Sequence, residues 1–264
     1  MLALDHLALC AAGCFPHQPW LGPVITALPP DAHPDPDLDI HPDVDRGINT
    51  DINTDINTGI DINADIDVDV ALTFDDGPDP DVTPRVAEML ESRGLRASFF
   101  VIGERAARHP ELIKGLVDAG HRIENHTATH PSSFAFSFLP RLGREIGECQ
   151  RTVSELTERA PAYFRAPAGM RNPLLEIALA RQGLHLVSWT KRGYDTADGD
   201  ADRVFRRLDH KLRRGDILLL HDGNAARTAA GRAVCLDVLP RLLDRLDEVG
   251  LKAGALPELP PLPS

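Results

Sequence analysis

One pattern limits the fold of this chain more than any other. From Val68 to Ala255, short apolar runs alternate with stretches of helical period. The first run alternates through Val68, Val70, Leu72 and Phe74, merges into VALTF, and stops at Asp75-Asp76-Gly77-Pro78. Thr83-Pro84 follows, read as an N-cap with proline at the first helical position, and opens a helix to about Arg93 that Gly94 stops. Further strands are expected over 97–102, 122–125, 163–165, 184–189 and 215–221, with a last short one near 252–255. Helices are expected over 110–119, closed by Gly120, and over 139–158, 173–182, 202–212 and 234–249. Strands alternating with helices build a mostly parallel sheet with right-handed crossovers. About seven such units in roughly 190 residues suit a barrel better than a small open sheet, with an open doubly wound sheet as the alternative.

Charge separates this region from what precedes it. The chain carries a formal −12, but residues 31–70 hold twelve Asp and one Arg, a balance of −11, so the remainder sums to −1. A nearly neutral body without a basic stripe argues against nucleic acid as a partner. Residues 29–67 read as an acidic, low-complexity insertion: Pro-Asp pairs, then GINTDINTDINTGIDINADIDVDV with a four-residue period too short for a solenoid. Asp51, Asn53 and Asp55 match the first ligands of a calcium loop, but Ile56 and Ile62 stand where such a loop needs Gly and Glu. The Ile/Thr alternation there also has a strand's period, yet Asp and Asn are poor strand residues.

The flanking pieces are a short N-terminal element over 1–28 and a Pro-rich tail over 257–264, on either side of the α/β domain over 68–256. LALCAAGC, ending at Cys14, resembles a lipoprotein cleavage box, but MLALDH has no basic n-region, which makes the cytoplasm the expected location. Cys10, Cys14, Cys149 and Cys235 lack metal-site spacing and read as inert thiols. No apolar run is long enough for a transmembrane helix.

The chemically capable side chains cluster where the strands end. Asp75 and Asp76 follow the first strand, and His126 and His130 follow the third. Arg165 follows the next strand, Asp195 lies beyond Trp189, and His221 ends DILLL. In a parallel barrel all these ends open on one face, where active sites assemble. His126-x-x-x-His130 aims two imidazoles the same way if the segment is locally helical. Two His and one carboxylate leave an open position on zinc or a similar cation, which lowers the pKa of a bound water from about 15.7 toward about 7. The second Asp is then free to act as a base, and another histidine can supply an acid. SSFAFSFL after the histidine pair places Phe134, Phe136 and Phe138 nearby, either packed under a loop or walling a site for an acyl or lipid-linked group.

Four segments together resemble the polysaccharide deacetylase family, the NodB-homology domain. They are Thr73-Phe74-Asp75-Asp76-Gly77-Pro78, His126-Thr127-Ala128-Thr129-His130, Arg165-Ala166-Pro167-Ala168-Gly169 and Leu218-Leu219-Leu220-His221. The resemblance implies a distorted (β/α) barrel, as a catalytic domain over 68–256, and a set of roles. Asp76, His126 and His130 bind a divalent metal, usually Zn2+, with Co2+, Ni2+ or Mn2+ as alternatives. Asp75 takes a proton from the metal-bound water, Arg165 holds Asp75 ionised, and His221 protonates the leaving amine. The Ala168 N–H and the metal stabilise the oxyanion. The family's fourth motif departs here: Arg192-Gly193-Tyr194-Asp195-Thr196 keeps one acid and lacks the Trp, so Asp195 is assigned to tuning His221, and Trp189 to the core or the substrate groove. The expected activity is removal of an N-acyl, foremost N-acetyl, group from an N-acylated carbohydrate or glycolipid. Deformylase or amidase action on a small or lipid-linked substrate is an alternative, as is a carbohydrate-binding relative without catalysis.

Overall fold

A computed structural model describes Ile25, Ala27, Leu28 and residues 68–259. The expectations for residues 29–67, for most of 1–28, for Cys10 and Cys14 and for the end of the tail lie outside the described residues.

Eight strands form one sheet. They are β1 (Val70–Asp75), β2 (Ser98–Val101), β3 (Arg122–Asn125), β4 (Tyr163–Phe164), β5 (His185–Leu186), β6 (Lys191–Arg192), β7 (Ile217–His221) and β8 (Ala253–Gly254). Seven of them follow the order β5-β4-β3-β2-β1-β7-β6, paired in parallel throughout, while β8 joins the start of β1. The sheet curls into the expected distorted barrel. Between its ends lie Ile25, which exchanges backbone hydrogen bonds with Leu186 and Ser188, and Leu28, whose N–H donates to Gly215.

Helices cover the outside: α1 (Thr83–Glu91), α2 (Gly103–Arg108), α3 (Pro110–Asp118), α4 (Leu139–Thr157), α5 (Leu175–Ala180), α6 (Ala201–Asp209) and α7 (Val234–Glu248). Their apolar faces have the spacing a helix needs. In α4, Leu142, Ile146, Cys149 and Val153 are fully buried at intervals of three and four. Gly94 and Gly120 take φ of +66° and +82° just after α1 and α3, the left-handed backbone expected of a helix stop.

Strand parity sorts the side chains. Val70, Leu72, Phe74, Phe99, Val101, Leu218 and Leu220 belong to the large cluster under the helices. Their neighbours Ala71, Phe100, Tyr163 and Ile217 pack in a smaller cluster with Leu28 and Val187. Because consecutive residues of a strand face opposite ways, Asp75 follows Ala71 and Thr73 onto the inner side, and His221 follows Ile217. Residues buried on both faces explain why these strands read as continuous apolar runs.

Three local expectations are corrected. Thr83 is not the cap of α1; Val82 holds that position, and the Thr83 hydroxyl is spent on the Asp222 carboxyl. The helix α2 and the strand β6 were not anticipated, because six and two residues are too few for a period to show. The expected strand over 184–189 shrinks to β5, although Val187 bridges to Ile25. The start of the tail packs: the Tyr163 hydroxyl donates to Pro257 O at 2.8 Å, and Glu258 pairs with Arg159 at 2.9 Å. No helix among the described residues is long and apolar enough to cross a membrane.

Candidate metal centre and acid–base site

The motif residues converge at the carboxyl ends of β1, β3, β4 and β7. Asp75 and His221 are register partners on β1 and β7, so the sheet itself sets them side by side. Both are buried, as are Asp76, His126, Arg165 and Asp195.

Asp76 begins the turn after β1 with a left-handed backbone, φ +71°. His126 and His130 come from the loop after β3. The segment between them is a turn and not the helical one the spacing allowed: Thr127 and His130 have φ of +70° and +54°. Side-chain contacts hold that turn. Asn125 Oδ1 accepts from Thr127 N at 3.0 Å, the Thr127 hydroxyl accepts from His130 N at 2.9 Å, and Glu145 on α4 accepts from Thr129 N at 2.9 Å. The result brings both imidazole Nε2 atoms to 3.2 Å from Asp76 Oδ1. One ligand atom from each of the three residues lies within 4.8 Å of the others.

This arrangement fits a cation. Asp76 Oδ1 is buried without a hydrogen-bond donor. His126 Nδ1 lies 2.8 Å from the Arg165 carbonyl, so it carries the proton, and Nε2 keeps its lone pair for a metal. Two imidazoles and a carboxylate make a mixed N/O set suited to zinc and its neighbours. The charges agree. Burial alone would raise the Asp76 carboxyl, but the close approach and charge of His126, with the charges of His130 and His221, outweigh it and hold Asp76 well below the usual carboxylate range. Burial beside His126 lowers His130 despite the two carboxylates, which favours a neutral ligand.

A second group stands beside the triad. Arg165, wholly buried, donates from Nη1 to Asp75 Oδ1 at 2.7 Å and to the Thr73 hydroxyl at 2.9 Å, and from Nη2 to Ser188 O at 3.0 Å. Its guanidinium lies 4.1 Å from the centre of the Phe100 ring, with Trp189 on another side at 5.9 Å. Asp195 grips His221 twice, accepting from the backbone N at 2.7 Å and meeting ring Nδ1 at 2.8 Å. Burial would lower the His221 pKa, but Asp195, with Asp75 and Asp76, raises it above that of a free imidazole. The surviving acid of the altered fourth motif therefore lies against the histidine it was expected to tune.

The remaining candidates are peripheral. Ala168 sits exposed in a short turn after Arg165, with φ +54°. Trp189 is half-buried against Gly169, where a Cβ would stand 2.4 Å from the indole. Phe134 is buried, whereas Phe136 and Phe138 are exposed. Cys149 and Cys235 are buried free thiols, and burial pushes the Cys149 thiol up to about 12, in line with the inert reading.

Three residues at the site were missed in the sequence. Asn224 Nδ2 donates to Asp76 Oδ2 at 3.0 Å. Arg105, on the unanticipated α2, donates to the Asp76 carbonyl and to Asn224 Oδ1, both at 2.7 Å. Asp222 is fully enclosed, and burial pushes its carboxyl up to about 7. Its neighbour Gly77 is required for space: a Cβ there would lie 2.2 Å from the Asp222 carboxyl. The only sequence signal for Asn224 and Asp222 was their place directly after His221.

Known proteins share this arrangement of chain. The family model described as polysaccharide deacetylase matches residues 64–187. A chitooligosaccharide deacetylase of Bradyrhizobium sp. is 34% identical over 197 residues, covering 72% of this chain and 90% of the relative. A peptidoglycan-N-acetylglucosamine deacetylase of Bacillus cereus is 32% identical over 192 residues, covering 72% and 87%. Among solved structures, a family 4 carbohydrate esterase from Streptomyces lividans in complex with acetate superposes with a TM-score of 0.64 at 31% identity, over 71% of this chain and 92% of that one. With the four motifs, the parallel barrel and these relatives in agreement, the chain belongs to the polysaccharide deacetylase family.

Proposed function

We propose that this protein hydrolyses the amide of N-acetylated amino sugars in an oligo- or polysaccharide, releasing acetate and leaving a free amine, and that Asp76, His126 and His130 hold the divalent cation it uses, with zinc the best match to the ligand set. The observation that carries this reading is the pairing of Asp75 with His221 across β1 and β7, directly beside the triad. A base and an acid are thereby presented together at one cation site. A cation held there supplies Lewis acidity, polarising the substrate carbonyl and favouring ionisation of water.

The protein's own groups divide the proton work. Asp75, held in place by the hydrogen bond from Arg165, accepts the proton of the attacking water. His221, held protonated by Asp195, delivers a proton to the amide nitrogen as the C–N bond breaks. The left-handed turn at Ala168 is assigned to presenting its N–H to the developing oxyanion, an interaction commonly worth about 3 kcal/mol. Retention of this acid–base set favours catalysis over carbohydrate binding alone, since binding has no use for a buried Asp–Arg and Asp–His pair. The acetate bound in the Streptomyces esterase and the N-acetylglucosamine deacetylase relatives favour acetyl over other acyl groups.

The test joins metal analysis to product release. The expected result is one tightly bound divalent ion per chain and acetate release from N-acetylated chitooligosaccharides or peptidoglycan. A folded protein that binds no divalent ion overturns the metal assignment. One that binds the ion and releases no acetate from either material overturns the substrate assignment.

A further inference from the structure

We propose that a cavity on the far side of the Asp76 turn is a pocket for an anionic group, a phosphate or carboxylate borne by the saccharide substrate. The pocket stands on its own geometry; only the assignment of the anion to the substrate rests on the deacetylase reading. The cavity is about 340 Å3, and its lining includes Arg105, Arg108, His109, Arg227, Asn224 and Asp79. That volume lies within the ~300–1,000 Å3 of small-molecule sites, large enough for a charged sugar unit and not merely a bare ion.

The arginines of this cavity are gathered on one concave surface and held by neutral groups. Arg105 donates to the Asp76 carbonyl and to Asn224 Oδ1, Arg108 Nε to Glu104 O at 3.0 Å, and Arg227 Nη1 to Gly231 O at 3.2 Å. All these acceptors are neutral. No carboxylate among the described residues comes within ion-pair distance of any of the three guanidinium groups. Elsewhere on the described surface Arg93, Arg122, Arg203, Arg232, Arg241 and Arg245 each meet an Asp or Glu, whereas Arg85, Arg141, Arg144 and Arg206, like the three of the cavity, do not. The one acid of the lining, Asp79, accepts from the Asp81 backbone N–H at 2.9 Å. Three arginines against one aspartate leave the lining at +2, since 3 − 1 = 2, while His109 faces Glu111 at 3.5 Å and adds no uncompensated charge. A concave surface with uncompensated charge focuses its field on an incoming anion, and the guanidinium fork matches a phosphate or carboxylate.

The position gives the pocket its meaning. Arg105 and Asn224 line the cavity and also bond to Asp76, so an anion there sits one side chain away from a metal ligand. A substrate whose N-acetyl group reaches the cation can place a nearby anionic substituent against Arg108 and Arg227. A neutral N-acetylglucosamine chain has no charge to offer them. The pocket therefore favours a phosphorylated or carboxylated saccharide over an uncharged one.

Calorimetric titration of the full chain with inorganic phosphate tests the pocket. Binding with a Kd of about 1 mM or tighter is expected, weakening as NaCl is added. The Arg108→Ala/Arg227→Ala double variant should weaken it at least about tenfold, with thermal unfolding unchanged, and Asp76→Asn should leave it measurable. No binding at about 50 mM phosphate, or equal binding by the double variant, overturns the pocket. Steady-state acetate release then identifies the anion's source. If it belongs to the substrate, the double variant raises KM for a phosphate- or carboxylate-bearing N-acetyl saccharide about tenfold and leaves KM for the neutral analogue in place. Equal changes on both substrates overturn the assignment to substrate and point to a free anion. Phosphate binding without acetate release from any substrate sinks the deacetylase reading while the pocket stands.

Discussion

His126, just after β3, and His221, at the end of β7, stand at the carboxyl edge of one sheet and are backed by opposite kinds of acceptor. Behind His126 is a neutral carbonyl, that of Arg165, 2.8 Å from Nδ1; behind His221 is the Asp195 carboxylate at the same distance. A carbonyl fixes the tautomer without adding charge, so the imidazole presents a lone pair. A buried carboxylate stabilises the imidazolium, so the ring presents a proton. Burial would lower His126, but Asp75 and Asp76, on its Nε2 side where a cation would also sit, raise it, with a smaller contribution from the Arg165 carbonyl. One residue type thus serves as ligand and as acid, according to what stands at its back.

The largest effect is expected from removing the ligand half altogether. Asp76→Ala should reduce bound metal from about one equivalent to near zero and bring acetate release to the background of the assay. Elemental analysis of the purified variant checks the first part, and a variant that keeps its metal contradicts the triad. Asp75→Asn should separate the two halves: kcat falls by about 10^2 to 10^4 while metal content stays. The same change leaves the buried Arg165 charge without its partner, which costs about 3–5 kcal/mol of stability on a denaturant curve.

Asp195→Asn collapses the difference between the two histidines, because His221 is then backed by a neutral acceptor. Its pKa falls, and the alkaline limb of the kcat–pH profile moves to lower pH, with kcat at neutral pH reduced by up to about 10^2. An unmoved limb rules out His221 as the acid. On the ligand side, Asn224→Ala takes a hydrogen bond from Asp76 Oδ2 and should weaken metal affinity by about 10- to 100-fold in a chelator competition.

The smallest effect concerns a third histidine that serves neither role. His121 is buried, with its Nδ1 accepting from Ala97 N at 3.1 Å, and burial, aided by Arg96, pushes it down to about 4. Between its ordinary value of 6.5 and about 4 the unfolded chain binds the proton and the folded chain does not. Stability is therefore lost as pH falls through that window, by about 2–3 kcal/mol. Urea midpoints at the two ends of the window measure it, and His121→Gln should flatten the difference.

The order of strands and helices was legible because each long element carries its own period. The apolar run of β1 and the buried stripe of α4 needed nothing beyond local sequence. Short pieces were not legible. Helix α2 and strand β6 are held by packing and by pairing with β7, not by a pattern of their own. The site divides the same way. Asp75, Asp76, His126, His130, Arg165 and His221 stood out because reactive residue types lay at strand ends in recognisable motifs. Arg105 and Asn224 carried no such mark, since each matters only through a partner in a distant part of the chain.

Sequence alone determined the alternation of elements, and with it the parity that turns Asp75 and His221 to the inner side of their strands. It also determined which side chains could ligate a metal or move a proton. Tertiary structure decided what each of them became. The parallel register of β1 and β7 placed the base beside the acid. Two left-handed residues in the turn after β3, held by Asn125, Thr127 and Glu145, brought His126 and His130 to one oxygen of Asp76. The acceptor behind each imidazole then separated ligand from acid. The reason is that a histidine's charge depends on the field of groups around it, and those groups are assembled only by folding.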